Sequence, residues 1–234
     1  MEVGGDPSSL AHVNAEWGSL ANVVALADQY EFRLTLEFNP QWAQALTLAS
    51  GAQRLATLRN WEARGHEIAV HHHGPSHVDW NGYTDAPGMA ADSRYRGTIA
   101  QMMALLSRLP ASGRLCTGGM TDESTDWPAS VPYDTTGGLT ASTLLGMPTA
   151  ATHRGIAVTQ LSYASFAAAN RESTDLDDVR SVLASGQSDA ILGIVFHPHD
   201  YRADPAAIAT LFEHLRGQGV TVATVATWLA GRGC

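Results

Sequence analysis

The chain contains no lysine, and all 14 of its basic residues are arginine. Schiff-base and pyridoxal-phosphate enzymes use the amine of a lysine side chain, and a P-loop uses a lysine to bind phosphate. The absence of lysine therefore excludes these classes of enzyme.

Basic stripes, long apolar runs and closely spaced cysteines are also missing. The formal net charge is −9 and no basic run could follow a phosphate backbone, so we expect no nucleic-acid partner. The longest apolar stretch, residues 190–196, is far shorter than the about 20 residues of a membrane span. Cys116 and Cys234 lack CxxC spacing, which indicates neither a disulfide framework nor a cysteine-ligated zinc site. No charged-then-apolar leader opens the chain, so a secretory signal is expected to be absent or already removed.

What is present is the composition of a folded α/β protein, with 44% apolar and 16% charged residues. Hydrophobic periodicity predicts strands that alternate with helices along the whole chain. Helices are predicted over 9–31, 41–48, 52–63, 88–109, 174–185 and 205–216, with a short helix at the end. Strands are predicted over 33–38, 66–73, 114–117, 156–163, 190–197 and 220–225, and a long loop over 118–138.

This alternation favours a parallel sheet covered by helices, because parallel strands need helical crossovers. Seven or so units without a linker favour a single domain, residues 1–234, folded as a distorted (β/α) barrel. A doubly wound open sheet is the alternative. The glycine-rich phosphate fingerprint is missing from the strand–helix turns, which weakens a dinucleotide-binding interpretation.

Six of the ten histidines form two groups at the ends of predicted strands. The first group lies at the carboxyl end of the strand over 66–73, and the second lies at the carboxyl end of the strand over 190–197. Active sites of parallel α/β folds are built at the carboxyl ends of the strands, so the two groups are expected to converge on one rim. The histidines are His71, His72, His73, His77, His197 and His199.

The first group has the pattern of a metal site. Residues i and i+2 of a strand share a face, so His71 and His73 are expected on one side and His72 on the other, while a turn returns His77. Imidazoles suit Zn²⁺, and a carboxylate often completes such a set. Glu2 and Asp6 are the carboxylates expected at the first strand. A purely structural role or a tag fragment is the alternative, but the run lies inside the chain.

The second group suits proton transfer or further ligation. Pro198 restricts the residue before it to extended backbone, and Asp200 is a candidate carboxylate to orient either His197 or His199. Capping of the strand by the two histidines is the alternative. Three aromatic residues of the nearby loops are candidates for stacking on a sugar ring, with loop packing as the alternative. They are Trp80, Tyr83 and Trp127.

The segment GHEIAVHHHGPSH resembles the polysaccharide deacetylase family, carbohydrate esterase family 4. The ending LFEHLRGQGVTVATVATWL, the segment VFHPHDY and the early RLTLEF are similar to other parts of that family. The resemblance implies a distorted barrel and metal-dependent removal of an acetyl group. It also implies an extracellular or cell-envelope location. The paired aspartates of the family's first strand are absent, and Glu2-Val3-Gly4-Gly5-Asp6-Pro7 stands in their place.

Carried over by position, the resemblance implies a metal ligand at His71 or His73 with His77, and a late acid at His197 or His199. Glu2 is then expected as a further ligand and Asp6 as the base, or the two carboxylates in the reverse roles. The predicted function is a zinc-dependent hydrolase that removes an acyl group from a carbohydrate-like substrate. The alternatives are a barrel metalloenzyme that acts as a sugar isomerase or lyase, and a non-catalytic carbohydrate-binding relative.

Overall fold

The computed structural model describes residues 10–120, 126–135, 145–166, 174–186 and 191–229. Within these residues the helices are α1 (Leu10–Gln29), α2 (Pro40–Thr47), α3 (Ala52–Ala63), α4 (Ile99–Leu106), α5 (Leu176–Ala184), α6 (Pro198–Ala203), α7 (Pro205–Gly217) and α8 (Val225–Trp228). The strands are β1 (Thr35–Phe38), β2 (Glu67–His72), β3 (Thr117–Met120), β4 (Tyr133–Asp134), β5 (Leu145–Gly146), β6 (Thr149–His153), β7 (Ile156–Gln160), β8 (Ala164–Ser165), β9 (Ile191–Leu192) and β10 (Ile194–Val195).

Six strands form one mixed sheet in the order β1-β2-β3-β4-β7-β6. The pairs from β1 to β7 are parallel, and only β6 runs antiparallel, as a hairpin with β7. Two further pairs, β10 with β8 and β5 with β9, form separate two-stranded sheets. The predicted α/β class and its mostly parallel sheet are therefore confirmed.

The two faces of the sheet differ sharply in polarity. On one face, Leu36, Phe38, Ile68 and Val70 are buried in an apolar cluster with Trp42 of α2 and other helix residues. Removing such side chains from water is the main favourable contribution to folding. The helices therefore cover this face of the sheet.

The opposite face carries polar side chains at both ends of the strands. At the amino ends, Glu67 accepts hydrogen bonds from the hydroxyls of Thr35 and Thr117 and from the backbone N–H of Ala226 in α8. At the carboxyl ends, Glu37 of β1 contacts His71 of β2. The polar residues around this contact form the candidate site.

Three predicted elements differ from the structure, and glycines interrupt two of them. Of the helix predicted over 88–109, only Ile99–Leu106 is α-helical and Met89–Ala91 forms a short 3-10 turn, since Gly88 and Gly97 have φ values of 82° and 159°. The strand predicted over 190–197 breaks at Gly193, where a Cβ would lie 2.2 Å from the carbonyl oxygen of Ser162. No strand is assigned within 220–225, and α8 begins at Val225.

Most of the remaining predicted elements are confirmed, but the loop predicted over 118–138 contains most of β3 and all of β4. The predictions for α1, α2, α3, α5 and α7 hold to within two residues, while β3 begins three residues later than predicted. Cys116, just before β3, is disulfide-bonded, which the cysteine spacing did not predict. None of the helices in the described part of the chain combines the length and hydropathy that a bilayer crossing requires.

Candidate functional site

The carboxyl end of β2 brings His71 and His73 together, as the strand period predicts. Their Nε2 atoms are 2.9 Å apart, and the ring planes meet at 68°. His73 is buried and His71 is half-buried. His72 points to the other face and is fully buried. Two imidazole nitrogens therefore converge on one side of the strand.

Glu37 of β1, which was not predicted as a site residue, orients His71. Glu37 of β1 accepts a hydrogen bond from Nδ1 of His71, with 3.3 Å between Nδ1 and Oε2. The hydroxyl of Thr135 donates to the other carboxylate oxygen, Oε1. Burial alone would raise the pKa of Glu37, but the hydrogen bonds from His71 and from the Thr135 hydroxyl lower it, and the net pKa lies below the usual value. Glu37 is thus an ionised acceptor.

This contact fixes the tautomer of His71. A carboxylate can only accept, so Nδ1 of His71 carries the proton, and Nε2 of a neutral ring then presents its lone pair towards His73. A carboxylate that holds Nδ1–H while Nε2 faces a metal is the usual arrangement around a metal-bound histidine. Glu37 therefore has the geometry of a residue that positions a metal ligand.

The small residue opposite Glu37 makes room for its carboxylate. A Cβ on Gly119 of β3 would lie 2.8 Å from Oε2 of Glu37 and 3.2 Å from the Thr135 hydroxyl oxygen. The first distance is too short for a real contact, so an alanine here would displace the carboxylate. Gly119 is required for the observed position of Glu37.

The turn after β2 brings two more ligand-type residues to His73. The rings of His73 and His77 have centroids 3.8 Å apart, and candidate ligand atoms of His73, His77 and Asp79 lie within 4.8 Å of one another. The backbone N–H of Asp79 donates to Nδ1 of His77 over 3.0 Å. The structure therefore brings His77 beside His73 and adds Asp79 to the cluster, while a ligand role for His77 stays a prediction.

The donor set fits a borderline divalent cation such as Zn²⁺. Nitrogen ligands about 2.0–2.1 Å from a tetrahedral zinc are about 3.3 Å apart. The 2.9 Å between the Nε2 atoms of His71 and His73 is a hydrogen-bond distance, so a small separation of the two rings would admit a cation between them. The ligand atoms of His73, His77 and Asp79 lie within 4.8 Å of one another, and His71 adjoins this group through His73. We therefore assign these four residues, with Glu37 behind His71, as a candidate metal centre.

The second histidine group lies around the start of α6. Asp200 accepts hydrogen bonds from the backbone N–H and from Nδ1 of His197, each over 2.9 Å. Nε2 of His199 lies 3.5 Å from the other carboxylate oxygen. Burial opposes ionisation of Asp200, but the hydrogen bonds from His197 lower its pKa below the usual value. The predicted contact between Asp200 and a histidine is confirmed.

This group suits proton transfer better than metal binding, although its ligand atoms also lie within 4.8 Å of one another. The rings of His197 and His199 are stacked, with centroids 4.9 Å apart and planes at 20°. In-plane lone pairs of stacked rings run side by side, whereas those of His71 and His73 converge. His197 is extended, as Pro198 requires, but Pro198 itself begins α6.

The three candidate sugar-stacking residues are buried. The indole N–H of Trp80 donates to the carbonyl of Tyr83, and that of Trp127 donates to the carbonyl of Val131. Tyr83 accepts a hydrogen bond from Gln44. These contacts favour the packing interpretation, and stacking of these rings on a sugar stays a prediction.

Glu2 and Asp6 lie outside the described residues. Among the residues that the structure describes, Glu37 contacts His71 and Asp79 lies beside His73 and His77. The positions of both residues could have suggested a site: Glu37 lies near the end of the predicted strand RLTLEF, and Asp79 lies two residues after His77. The sequence did not predict the parallel register that pairs Glu37 with Ala69 of β2.

Comparisons of the chain with protein-family models, with curated proteins and with solved structures find no match. They assign no family to the chain. The resemblance of GHEIAVHHHGPSH to the deacetylases stays a prediction.

Proposed function

We propose that the chain is a divalent-metal-dependent hydrolase that removes an acyl group, such as acetyl, from a carbohydrate-like substrate. The observation that carries this proposal is the convergence of the His71 and His73 Nε2 atoms, with Glu37 holding the far nitrogen of His71. A carboxylate that holds the far nitrogen of a histidine is the usual arrangement around a metal-bound histidine.

His71, His73 and His77 would hold the cation, and zinc suits these nitrogen donors best. When bound, such a cation supplies Lewis acidity that polarises an acyl carbonyl and lowers the pKa of water towards about 7. Glu37 keeps His71 in the tautomer that binds. The predicted ligand role of Glu2 and base role of Asp6 are still open, because both lie outside the described residues.

Asp79 is our candidate base among the described residues. It is exposed at the turn beside His73 and His77, so it reaches both the solvent and the site. A carboxylate in this position can take a proton from the attacking water. Asp79 is near enough to bind the cation instead, and these two roles are separable by substitution.

His197 is our candidate acid for the leaving amine or alkoxide. Asp200 holds Nδ1–H of His197, so Nε2 is the nitrogen that exchanges the proton, as in other histidine–carboxylate pairs. The topology supports a common rim. The N–H of Leu161, just after β7, donates to the carbonyl of Asp134 in β4. Three residues later Ala164 begins β8, which pairs in parallel with β10. His197 follows β10 two residues after its end, so it lies at the same end of the parallel strands.

We further propose that the strands close into the distorted barrel of the deacetylase-like fold. The N–H of Arg33, just before β1, donates to the carbonyl of Val222 over 3.3 Å. Val220 and Val222 pack in one apolar cluster with Ile194 of β10 and Phe32. These contacts support a path from β8 and β10 through residues 220–224 back to β1.

The proposal is tested by metal analysis and acetate release on the same purified protein. We expect one tightly bound zinc ion per chain, released acetate from acetylated glycans, and loss of both in His73→Ala. His153→Ala is the control, because His153 is bonded to Asp134 as a buried structural pair. An altered sugar without acetate would favour the isomerase or lyase alternative. A chain that binds no divalent metal would contradict the proposal.

A further inference from the structure

The middle histidine of the HHH run makes a buried contact behind the candidate metal centre. Nε2 of His72 lies 3.3 Å from Oδ2 of Asp126, and Nδ1 lies 2.8 Å from Oδ1 of Asn81. His72 and Asp126 are both fully buried, and Asn81 is nearly so. A buried charged group must be paired, so this contact has few alternatives in the folded chain.

The same carboxylate also holds the segment that follows the candidate ligands. Oδ1 of Asp126 accepts a hydrogen bond from the Thr84 hydroxyl over 2.6 Å and from the backbone N–H of Asp85 over 3.4 Å. Asp126 thus joins the end of β2 to residues 84–85 through one side chain.

These contacts enclose the loop of candidate ligands. The loop leaves β2 after His72, carries His77 and Asp79, and is fastened again at Asn81. At that point Gln41 of α2 donates to the carbonyl of Asn81, and the N–H of Asn81 donates to the carbonyl of His73. The position of the loop relative to β2 therefore depends on these few buried bonds.

We infer that the His72–Asp126 pair positions the loop carrying His77 and Asp79 against His71, and thereby sets the cation affinity of a site it does not touch. This inference rests on the proposed function. His72 and Asp126 are positioning residues, since neither contacts the candidate ligand atoms of the loop. Partners behind metal ligands typically change metal affinity about 10–100-fold when they are replaced.

The test is a titration of Zn²⁺ into the metal-free full chain, in which isothermal titration calorimetry measures the affinity and the stoichiometry. We expect Asp126→Asn to bind zinc at least about tenfold more weakly at unchanged stoichiometry. The control is Asp28→Asn, because Asp28 pairs with the buried His66 over 3.2 Å at the opposite end of β2. Its zinc affinity should stay within about twofold of the wild type, since it lies away from the ligand loop.

A cobalt-substituted protein gives a second readout. The visible spectrum of bound Co²⁺ reports its coordination, so we expect the spectrum to change in Asp126→Asn and not in Asp28→Asn. If Asp126→Asn does not fold, Thr84→Val removes one hydrogen bond of the same carboxylate and should also weaken zinc binding. Wild-type zinc affinity and spectrum in the folded Asp126 and Thr84 variants would overturn this inference alone. A wild-type chain that binds no zinc would overturn the proposed function as well.

Discussion

Replacement of Glu37 by glutamine tests the role that the structure gives this carboxylate. Glu37→Gln keeps the size of the side chain but removes the charge that accepts Nδ1–H of His71. The Thr135 hydroxyl can still donate to the amide oxygen. The amide NH₂ group then faces Nδ1–H, so His71 loses the contact that fixes its tautomer.

The length of the contact sets the expected magnitude. Charge-assisted hydrogen bonds are usually about 2.7–2.9 Å long. The Glu37–His71 contact is 3.3 Å, so its loss should lie at the weaker end of the about 10–100-fold range for such partners. We expect zinc affinity to fall about tenfold, which is about 1.4 kcal/mol of binding free energy. Competition with a chromophoric chelator measures this change directly.

Two consecutive glycines of β3 provide a matched pair for the same test. Gly119→Ala should displace the Glu37 carboxylate and weaken zinc binding to a similar extent. A Cβ on Gly118 would instead meet Val70 and Met120 on the other face of the sheet. Gly118→Ala should therefore cost about 1–3 kcal/mol of stability without changing zinc affinity.

The double variant tests whether the two substitutions act through the same contact. Glu37→Gln and Gly119→Ala remove one shared contact, so their combined effect on zinc affinity should be no larger than that of either alone. Unchanged zinc affinity in Glu37→Gln, or equal losses in the two glycine variants, would refute the assigned role of Glu37.

Three further predictions concern the base, the acid and stability. Asp79→Asn should lower kcat by about 10²–10⁴-fold in acetate-release assays while zinc stays bound, and loss of the zinc would instead identify Asp79 as a ligand. His197→Gln should lower kcat by at least about 10²-fold, whereas an unchanged kcat would exclude His197 as the acid. Burial lowers the pKa of His66 below its model-compound value of 6.5 despite its bond to Asp28, so the unfolded chain takes up the proton first and stability should decrease as pH falls below 6.5. The slope, measured by urea unfolding, is at most about 1.4 kcal/mol per pH unit, and His66→Asn should reduce it.

The strand period correctly predicted the local geometry of the histidines. Side chains of β2 alternate between faces, so His71 and His73 meet while His72 turns away. The polar loop after β2 was also correctly expected to return His77 to this point. These features depend on neighbours along the chain, which is why the sequence was sufficient.

The partners of the histidines were harder to predict, because they depend on how strands pair. Glu37 lies 34 residues before His71 and reaches it only through the parallel register of β1 and β2. The aromatic residues show the same limit. Trp80 and Trp127 lie in polar segments, but their indole groups are buried and bonded to nearby carbonyls.

The most direct test of the candidate metal centre is the anomalous diffraction of crystals of the zinc-loaded protein. We expect a zinc peak about 2.0–2.1 Å from the Nε2 atoms of both His71 and His73. Zinc at His197, His199 and Asp200 alone, or no zinc at either group, would contradict it.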